Sequence, residues 1–236
     1  MTTDGLQFLT WNLAMLERSA SAPLYWDSSA TEAAIRDEVL RRKPDVVMYQ
    51  ELPGLVPFVE THQMMRANPR SHNGNLATLV TPELMATEPS VSVVEGCAVL
   101  TTFVEPELTI ANVHLAPGKG ADGDRLMQIT RVISASPTKA LLIVGDTNTR
   151  LAEAEALANL GFSGDKPPHV TWDSKRNRFR ENMPEFSAYF TRWFASPGVI
   201  VSDVVVHREP VEHEDYSFFL SDHYALSGTV SLAPGS

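Results

Sequence analysis

The stretch Lys139-Ala140-Leu141-Leu142-Ile143-Val144-Gly145-Asp146-Thr147-Asn148 constrains the fold more than any other part of the chain. A continuous run of apolar and β-branched residues reads as a central strand covered on both faces, so layers must lie above and below it. Gly145 is expected to end the strand. An aspartate leaving such a strand is costly to desolvate unless a cation or hydrogen-bond donors hold it, so the strand end predicts a site. Taken alone, Asp146 and Asn148 also fit a simple Asx turn, and the rest of the chain has to decide between the two.

The surrounding sequence repeats the pattern of an extended run that ends in a reactive polar residue. Residues 6–12 alternate inward and outward and exit at Asn12. A helix opens with Ser29 and Glu32 in capping-box spacing, carries Ile35, Val39 and Leu40, and stops before Pro44. Residues 45–51 form a strand whose exit is Glu51, and 75–80, 91–104 and 107–115 read as further strands, the last ending near His114. Residues 124–134 place Leu126, Ile129, Thr130 and Ile133 on one helical face, and another helix runs from about 151 to 160 and stops at Gly161. The remainder is mostly β, at 188–195, 199–207 and 223–232, with a charged loop at 208–215.

Composition narrows the frame. A chain of 236 residues with 43% hydrophobic and 20% charged residues fits one folded domain over 1–236. Nineteen basic against 29 acidic residues give a net charge of −10, which argues against a surface that binds nucleic acid everywhere but leaves room for a local basic cleft. The single cysteine, Cys97, has no partner for an intramolecular disulfide and sits in a core-like setting. Neither a signal-peptide pattern nor 18 consecutive apolar residues is found, so the expectation is a soluble, cytoplasmic monomer without membrane contact.

Asn12, Glu51, His114, Asp146, Asn148, Asp222 and His223 all fall at or just beyond strand ends. In a sandwich of two packed sheets such ends converge on one edge, so these groups are able to share a pocket. Carboxylates and amide oxygens suit a hard cation such as Mg²⁺ or Mn²⁺, and histidines suit a phosphoryl group. Zinc is less suited, because no His-x-x-x-His or Cys-x-x-Cys spacing occurs.

Thr10-Trp11-Asn12, Tyr49-Gln50-Glu51-Leu52, Asn112-Val113-His114-Leu115, Gly145-Asp146-Thr147-Asn148 and Leu220-Ser221-Asp222-His223, in this order, resemble the motifs of the endonuclease/exonuclease/phosphatase superfamily. Gly74-Asn75-Leu76-Ala77-Thr78-Leu79 and the Arg125/Gln128 pair resemble its lesser signatures. Within it, residues 145–150 and Thr171-Trp172-Asp173-Ser174 with Asn177 are most similar to tyrosyl-DNA phosphodiesterase 2 and its bacterial relatives. The resemblance implies a four-layer α/β sandwich, with two packed, mainly antiparallel sheets flanked by helices, and a phosphodiesterase dependent on Mg²⁺ or Mn²⁺. It implies Glu51 as main metal ligand with Asn12 and Asp222, Asp146 as base for the attacking water, Asn148 holding that water or the phosphate, and His223 and His114 as donors to the phosphoryl oxygens.

One position departs from the pattern. Phe190-Thr191-Arg192 puts Thr191 where the superfamily carries an aspartate that orients the histidine of Ser221-Asp222-His223. A threonine accepts a hydrogen bond but supplies no charge, so a catalytically weakened phosphate-binding protein is the competing expectation. Asp203 is the only nearby strand acid that could substitute, although it lies beyond the Ser196-Pro197-Gly198 turn. Lys175, Arg176, Arg178 and Arg180 follow Trp172 directly, offering a stacking surface and an electrostatic handle. With Trp172, Arg176 and Arg178 as substrate contacts, the expected partner is a phosphodiester, including single-stranded or end-displayed DNA. The same chemistry on an RNA, lipid or small phosphodiester is the alternative.

Overall fold

The computed structural model describes residues 5–53, 60–67, 75–164 and 166–234. The first half of the chain forms β1 (Leu6–Asn12), α1 (Ser28–Arg42), β2 (Val46–Leu52), β3 (Gln63–Ala67), β4 (Asn75–Val80), α2 (Pro82–Met85), β5 (Ser90–Val94), β6 (Ala98–Phe103) and β7 (Leu108–His114). The second half forms α3 (Asp122–Ala135), β8 (Leu141–Asp146), α4 (Leu151–Asn159), β9 (Trp172–Asp173), β10 (Ser187–Ala188), β11 (Thr191–Ala195), β12 (Val199–His207), β13 (Val211–His213), β14 (Tyr216–Phe218) and β15 (Ala225–Leu232).

Two sheets result, ordered β12-β15-β1-β2-β4-β3 and β11-β8-β7-β6-β5. Each holds one parallel pair, β1 with β2 and β7 with β8, among antiparallel neighbours. Parallel strands need a crossover, and α1 and α3 supply the two. The buried apolar residues fall into three clusters that correspond to three interfaces. Phe8, Val46, Met48, Ile110, Leu142, Val144 and Trp193 fill the space between the sheets. Ile35 and Val39 of α1 pack on Leu9, Val47 and Tyr49, and Ile129, Val132 and Leu157 of α3 and α4 pack on Ala111, Val113 and Ile143. Three interfaces mean four layers, as the resemblance implies, and the run from Leu141 to Val144 is buried on both faces as expected. No described helix is long and apolar enough to cross a membrane.

Several boundaries differ from the sequence reading, each for a local reason. The strand at 141–146 continues through Gly145, whose φ of +139° keeps it extended while placing Hα where a Cβ would strike the Val113 carbonyl and crowd the Gln50 amide. The run 91–104 is two strands, β5 and β6, separated by a turn with Gly96 at φ +79° and Cys97 N donating to Val94 O at 3.1 Å. The cap of α1 is Asp27, whose carboxylate accepts from Ala30 N at 2.9 Å, rather than Ser29. Strand 188–195 divides into β10 and β11, and 223–232 begins as a strand only at Ala225. The charged segment 208–215 contributes to a hairpin, β13–β14, that seats Phe218 against Trp26. On α3 the inward face is Arg125, Ile129 and Val132, while Leu126 is 37% exposed. Apolar periodicity misses a face that includes a paired arginine: Arg125 is buried against Glu153, with Nε to Oε1 at 2.7 Å.

Candidate active site

The C-terminal ends of both parallel pairs open at the same edge of the sandwich. Asn12 closes β1, Glu51 lies one residue before the end of β2, His114 closes β7 and Asp146 closes β8, directly paired with His114 in register. β15 runs antiparallel to β1, so its entry segment delivers Asp222 and His223 to that edge. The result is a cleft of about 330 Å³ lined by Glu51, His114, Asp146, Asn148, Trp172, Phe190, Asp222 and His223, with Pro117, Gly118, Arg150, Arg180, Met183 and Phe186 around them.

Local backbone irregularities aim these groups. Glu51 has φ +54°, and a register shift between Tyr49 and Leu52 marks a bulge in β2. A left-handed non-glycine residue is a small strain that persists where surroundings fix it, and a bulge re-aims a side chain. Asn148 is also left-handed, at φ +50°, a conformation that asparagine tolerates.

At the centre, the Asn12 amide NH₂ donates to Asp146 Oδ2 at 2.9 Å and to Glu51 Oε1 at 3.1 Å, while its oxygen accepts from Ala14 N at 2.9 Å. His114 Nε2 lies 3.5 Å from Asp146 Oδ2 and 3.7 Å from Glu51 Oε1, and His223 Nε2 lies 3.7 Å from Asp146 Oδ2. Asp146 therefore faces one amide and two imidazoles, and its other oxygen accepts from Asn148 N at 3.3 Å. The Asn148 side chain donates to Leu115 O at 3.2 Å, which leaves its amide oxygen to accept from a water. Asp222 Oδ2 is held by Arg180 Nε at 3.2 Å.

Burial raises the carboxyl pKa of Glu51, against the opposing pull of the Asn12 amide and both histidines, and burial likewise raises that of Asp222. Two desolvated acids beside Asp146 form a set that a cation would relieve. Ligand atoms of Glu51, His114 and Asp146 lie within 4.8 Å of one another, so the residues present fit a small divalent ion in an oxygen-rich setting. This group differs from the expected trio of Glu51, Asn12 and Asp222: Asn12 turns its NH₂ toward the carboxylates, and Asp222 is engaged by Arg180.

The loops lock the histidine motif in place. Trp11 Nε1 donates to His223 O at 3.1 Å, Ser221 Oγ donates to Asn12 O at 2.6 Å, and His223 N donates to Ser221 Oγ at 3.1 Å, so the first and last motifs hold each other. Thr191 stands beside the histidine as its place in the sequence predicts, opposite Asp146 in register, with Oγ1 3.4 Å from His223 Nδ1. Asp203 is exposed in a bulge of β12 at φ +53°, accepts from Ser202 Oγ at 2.8 Å, and lines a separate cavity, so it takes no part in orienting His223.

Trp172 lies in the cleft edge-to-face with His223, at 4.9 Å between centroids, and stacks on Phe186 at 5.9 Å. Arg176 and Arg178 are exposed and do not line this cleft; Arg178 lines an adjoining groove. The cations that do line it are Arg150 and Arg180. Arg150 is fixed by donating to Asn148 O at 2.9 Å and by lying 4.4 Å over the Phe190 ring. It follows Gly145-Asp146-Thr147-Asn148-Thr149 directly, the one signal that could have marked it. Arg125 and Gln128 act one step back: Arg125 donates to Ala116 O and Gly118 O, each at 3.0 Å, and Gln128 accepts from Ala116 N at 2.8 Å, pinning the loop that carries Pro117 and Gly118.

The sequence model of the Endonuclease/Exonuclease/phosphatase family matches residues 9–223. No curated protein matches the chain. Among solved structures, a truncated TDP2 of Caenorhabditis elegans superposes with a TM-score of 0.68 at 17% identity, covering 97% of this chain and 98% of that one. D. rerio TDP2 complexed with a single-strand DNA product gives 0.71 at 18% identity, covering 96% and 98%. A mannosyl-6-phosphatase of Bacteroides thetaiotaomicron gives 0.71 at 14% identity, covering 96% and 100%. At these identities the likeness establishes the fold.

Proposed function

The chain belongs to the endonuclease/exonuclease/phosphatase family, and on that premise we propose that it is a metal-dependent phosphodiesterase acting at nucleic-acid ends, most like a 5′-tyrosyl-DNA phosphodiesterase. The observation that carries the reading is the convergence of Glu51, His114 and Asp146 within 4.8 Å at the joint exit of two parallel strand pairs. Glu51, its carboxylate oriented by the Asn12 amide, would be the main ligand of Mg²⁺ or Mn²⁺. When bound, that ion supplies Lewis-acid charge to the phosphoryl group and leaving oxygen.

The residues of the chain perform the remaining tasks. Asp146 Oδ2, steered by the Asn12 amide and held through Oδ1 by Asn148 N, accepts the proton of an attacking water as its oxygen bonds to phosphorus. The ester P–O bond breaks on the opposite side, its electron pair leaving with a tyrosine phenolate or an alkoxide that takes a proton from solvent. His114 and His223 face the same carboxylate from different elements and donate ring N–H groups to the phosphoryl oxygens as their charge grows. Asn148 orients the water through its amide oxygen. Trp172 and Phe186 offer a base-sized aromatic surface, and a related fold carrying a single-strand DNA product supports that class of substrate.

Turnover of a 5′-tyrosyl oligonucleotide and of p-nitrophenyl phosphodiesters in Mg²⁺, Mn²⁺ and chelator tests the reading. Metal-dependent release of tyrosine, abolished by chelator, is expected. Hydrolysis of neither ester in either metal would instead leave a phosphate-binding protein, the alternative that Thr191 raises.

A further inference from the structure

Alternation along β2 does not by itself bring Glu51 to the cleft. Successive side chains of a strand face opposite ways. Val46 and Met48 face the other sheet while Val47 and Tyr49 face α1, so an unbroken count would turn Gln50 toward the other sheet and Glu51 toward the helix. The register shift between Tyr49 and Leu52, with Glu51 at φ +54°, breaks that count, and Leu52 lies with Val47 and Tyr49 on the helix side. Glu51 is thereby turned to the inner edge, where its Oε1 lies 3.7 Å from His114 Nε2. The place of this carboxylate depends on whatever holds the bulge.

Three sets of hydrogen bonds bracket the bulge. Leu13 N, just beyond β1, donates to Gln50 O at 2.9 Å, and the Asn75 side chain on β4 donates to Leu52 O at 3.3 Å. The third set crosses between the sheets. Asn112, wholly buried on β7, donates through Nδ2 to Ala77 O at 2.9 Å and to Tyr49 O at 3.2 Å, and these two residues are the last pair in register before the shift. A carbonyl only accepts, so these contacts fix which way the Asn112 amide faces, and its Oδ1 accepts from Gln50 Nε2 at 2.8 Å. Gln50 Nε2 also reaches Thr10 Oγ1 on β1 at 3.0 Å. Asn112 stands two residues before His114 on β7, whose parallel partner β8 ends at Asp146. Of the three, only this tie comes from the sheet that carries His114 and Asp146.

We infer that Asn112 is a positioning residue for Glu51: it fastens the backbone at which β2 bulges to the opposite sheet, and so sets the Glu51 carboxylate against His114 and Asp146. This rests on the reading of the cleft as a metal-dependent site. The task differs from that of Asn12, which bonds the Glu51 carboxylate itself. Asn112 acts through the backbone behind it.

The test uses Asn112→Leu, an apolar side chain of similar size, and Asn112→Ser, which is smaller and keeps a hydroxyl. Thr109→Val is the control, since it removes a buried hydroxyl bonded to Thr102 and Thr138 at the other end of β7. Calorimetric titration should show Mn²⁺ affinity weakened about 10-fold or more in both Asn112 variants, the scale on which loss of outer supporting contacts acts, and unchanged in Thr109→Val. Hydrogen exchange in chelator should show the backbone amides of 49–52 losing protection in the Asn112 variants and keeping it in the control. Wild-type Mn²⁺ affinity in the Asn112 variants, protection retained at 49–52, or equal losses in Thr109→Val would overturn the inference. If the wild type takes up no Mn²⁺, the reading of the cleft as a metal site fails, and exchange in chelator still decides whether Asn112 holds the bulge. If neither variant folds, the wild type decides by nuclear magnetic resonance: slow exchange of the Asn112 side-chain NH₂ protons supports the tie, and exchange as fast as that of exposed Asn182 refutes it.

Discussion

The floor of the cleft and its loop wall are built on opposite principles. The floor is made of strand ends: Asn12, His114 and Asp146 are each at most 3% exposed, and every one has its position set by sheet register. The wall, from Trp172 to Phe186, holds only the short β9 strand, and its exposed members Arg180, Met183 and Phe186 line the cleft from outside any strand or helix. A register-fixed floor suits a reaction whose atoms must not shift by an ångström. A wall carried on loops can vary without disturbing it. Substitutions should therefore separate into losses of turnover on the floor and losses of substrate affinity on the wall.

The largest effect is expected at Asp146. Asp146→Asn should lower kcat by about 10²–10⁴-fold, the usual contribution of a general base, with an unchanged circular dichroism spectrum. A kcat within a few-fold of wild type would remove Asp146 from that role.

Next comes the support behind the floor. Arg125 and Glu153 are 1% and 2% exposed, and Arg125→Met would leave the carboxylate buried without its partner, at a cost of about 3–5 kcal/mol in chemical unfolding. A loss below about 1 kcal/mol would show that the pair relaxes to solvent, and that the loop carrying Pro117 and Gly118 does not depend on it.

Thr191 and Phe186 sharpen the contrast further. Thr191→Val deletes the hydroxyl 3.4 Å from His223 Nδ1 and should lower kcat about 10-fold with KM nearly constant, with Thr191→Ser restoring it. Phe186→Ala removes a 43% exposed ring stacked on Trp172 and should raise KM for an oligonucleotide about 10-fold, the loss of one stacked base, while sparing kcat. Effects exchanged between the two parameters would erase the division between floor and wall.

The smallest effect concerns stability. Burial raises the Glu51 pKa, so its folded-state contribution favours the protonated form and is lost as pH rises through the folded value. In chelator at pH 7, Glu51→Gln should raise Tm, because it removes a buried carboxylate that folding disfavours in its charged form. The advantage should vanish as pH falls toward the ordinary carboxyl value of 4.5. A Tm lower than wild type in chelator would mean that the Asn12 amide and the histidines outweigh burial.

The same contrast governs what the sequence reveals. Floor residues end apolar runs, so one-dimensional periodicity marks both the strand and the polar residue leaving it, and Asn12, Glu51, His114 and Asp146 are all legible that way. A strand buried on both faces requires a layer above and below it, and the family motifs are what imply four layers in all. Wall and support residues carry no such signal. Arg176, Arg178 and Arg180 are indistinguishable in sequence, because which of them meets a groove depends on where Asn177 and Phe179 anchor. Arg125 sits on the inward face of α3 only because Glu153 comes from another helix. The β13–β14 hairpin is hidden by its charges, since its stabilising contact, Phe218 on Trp26, spans the chain.

The central claim is that Glu51, Asp146 and their neighbours form one metal-dependent site, and calorimetric titration of Mn²⁺ into the wild type and Glu51→Gln tests it most directly. The expected result is a saturable site in the wild type that Glu51→Gln weakens by at least about 10-fold, the lower end of what loss of a supporting ligand shell costs. Equal Mn²⁺ affinity in the two proteins would contradict it.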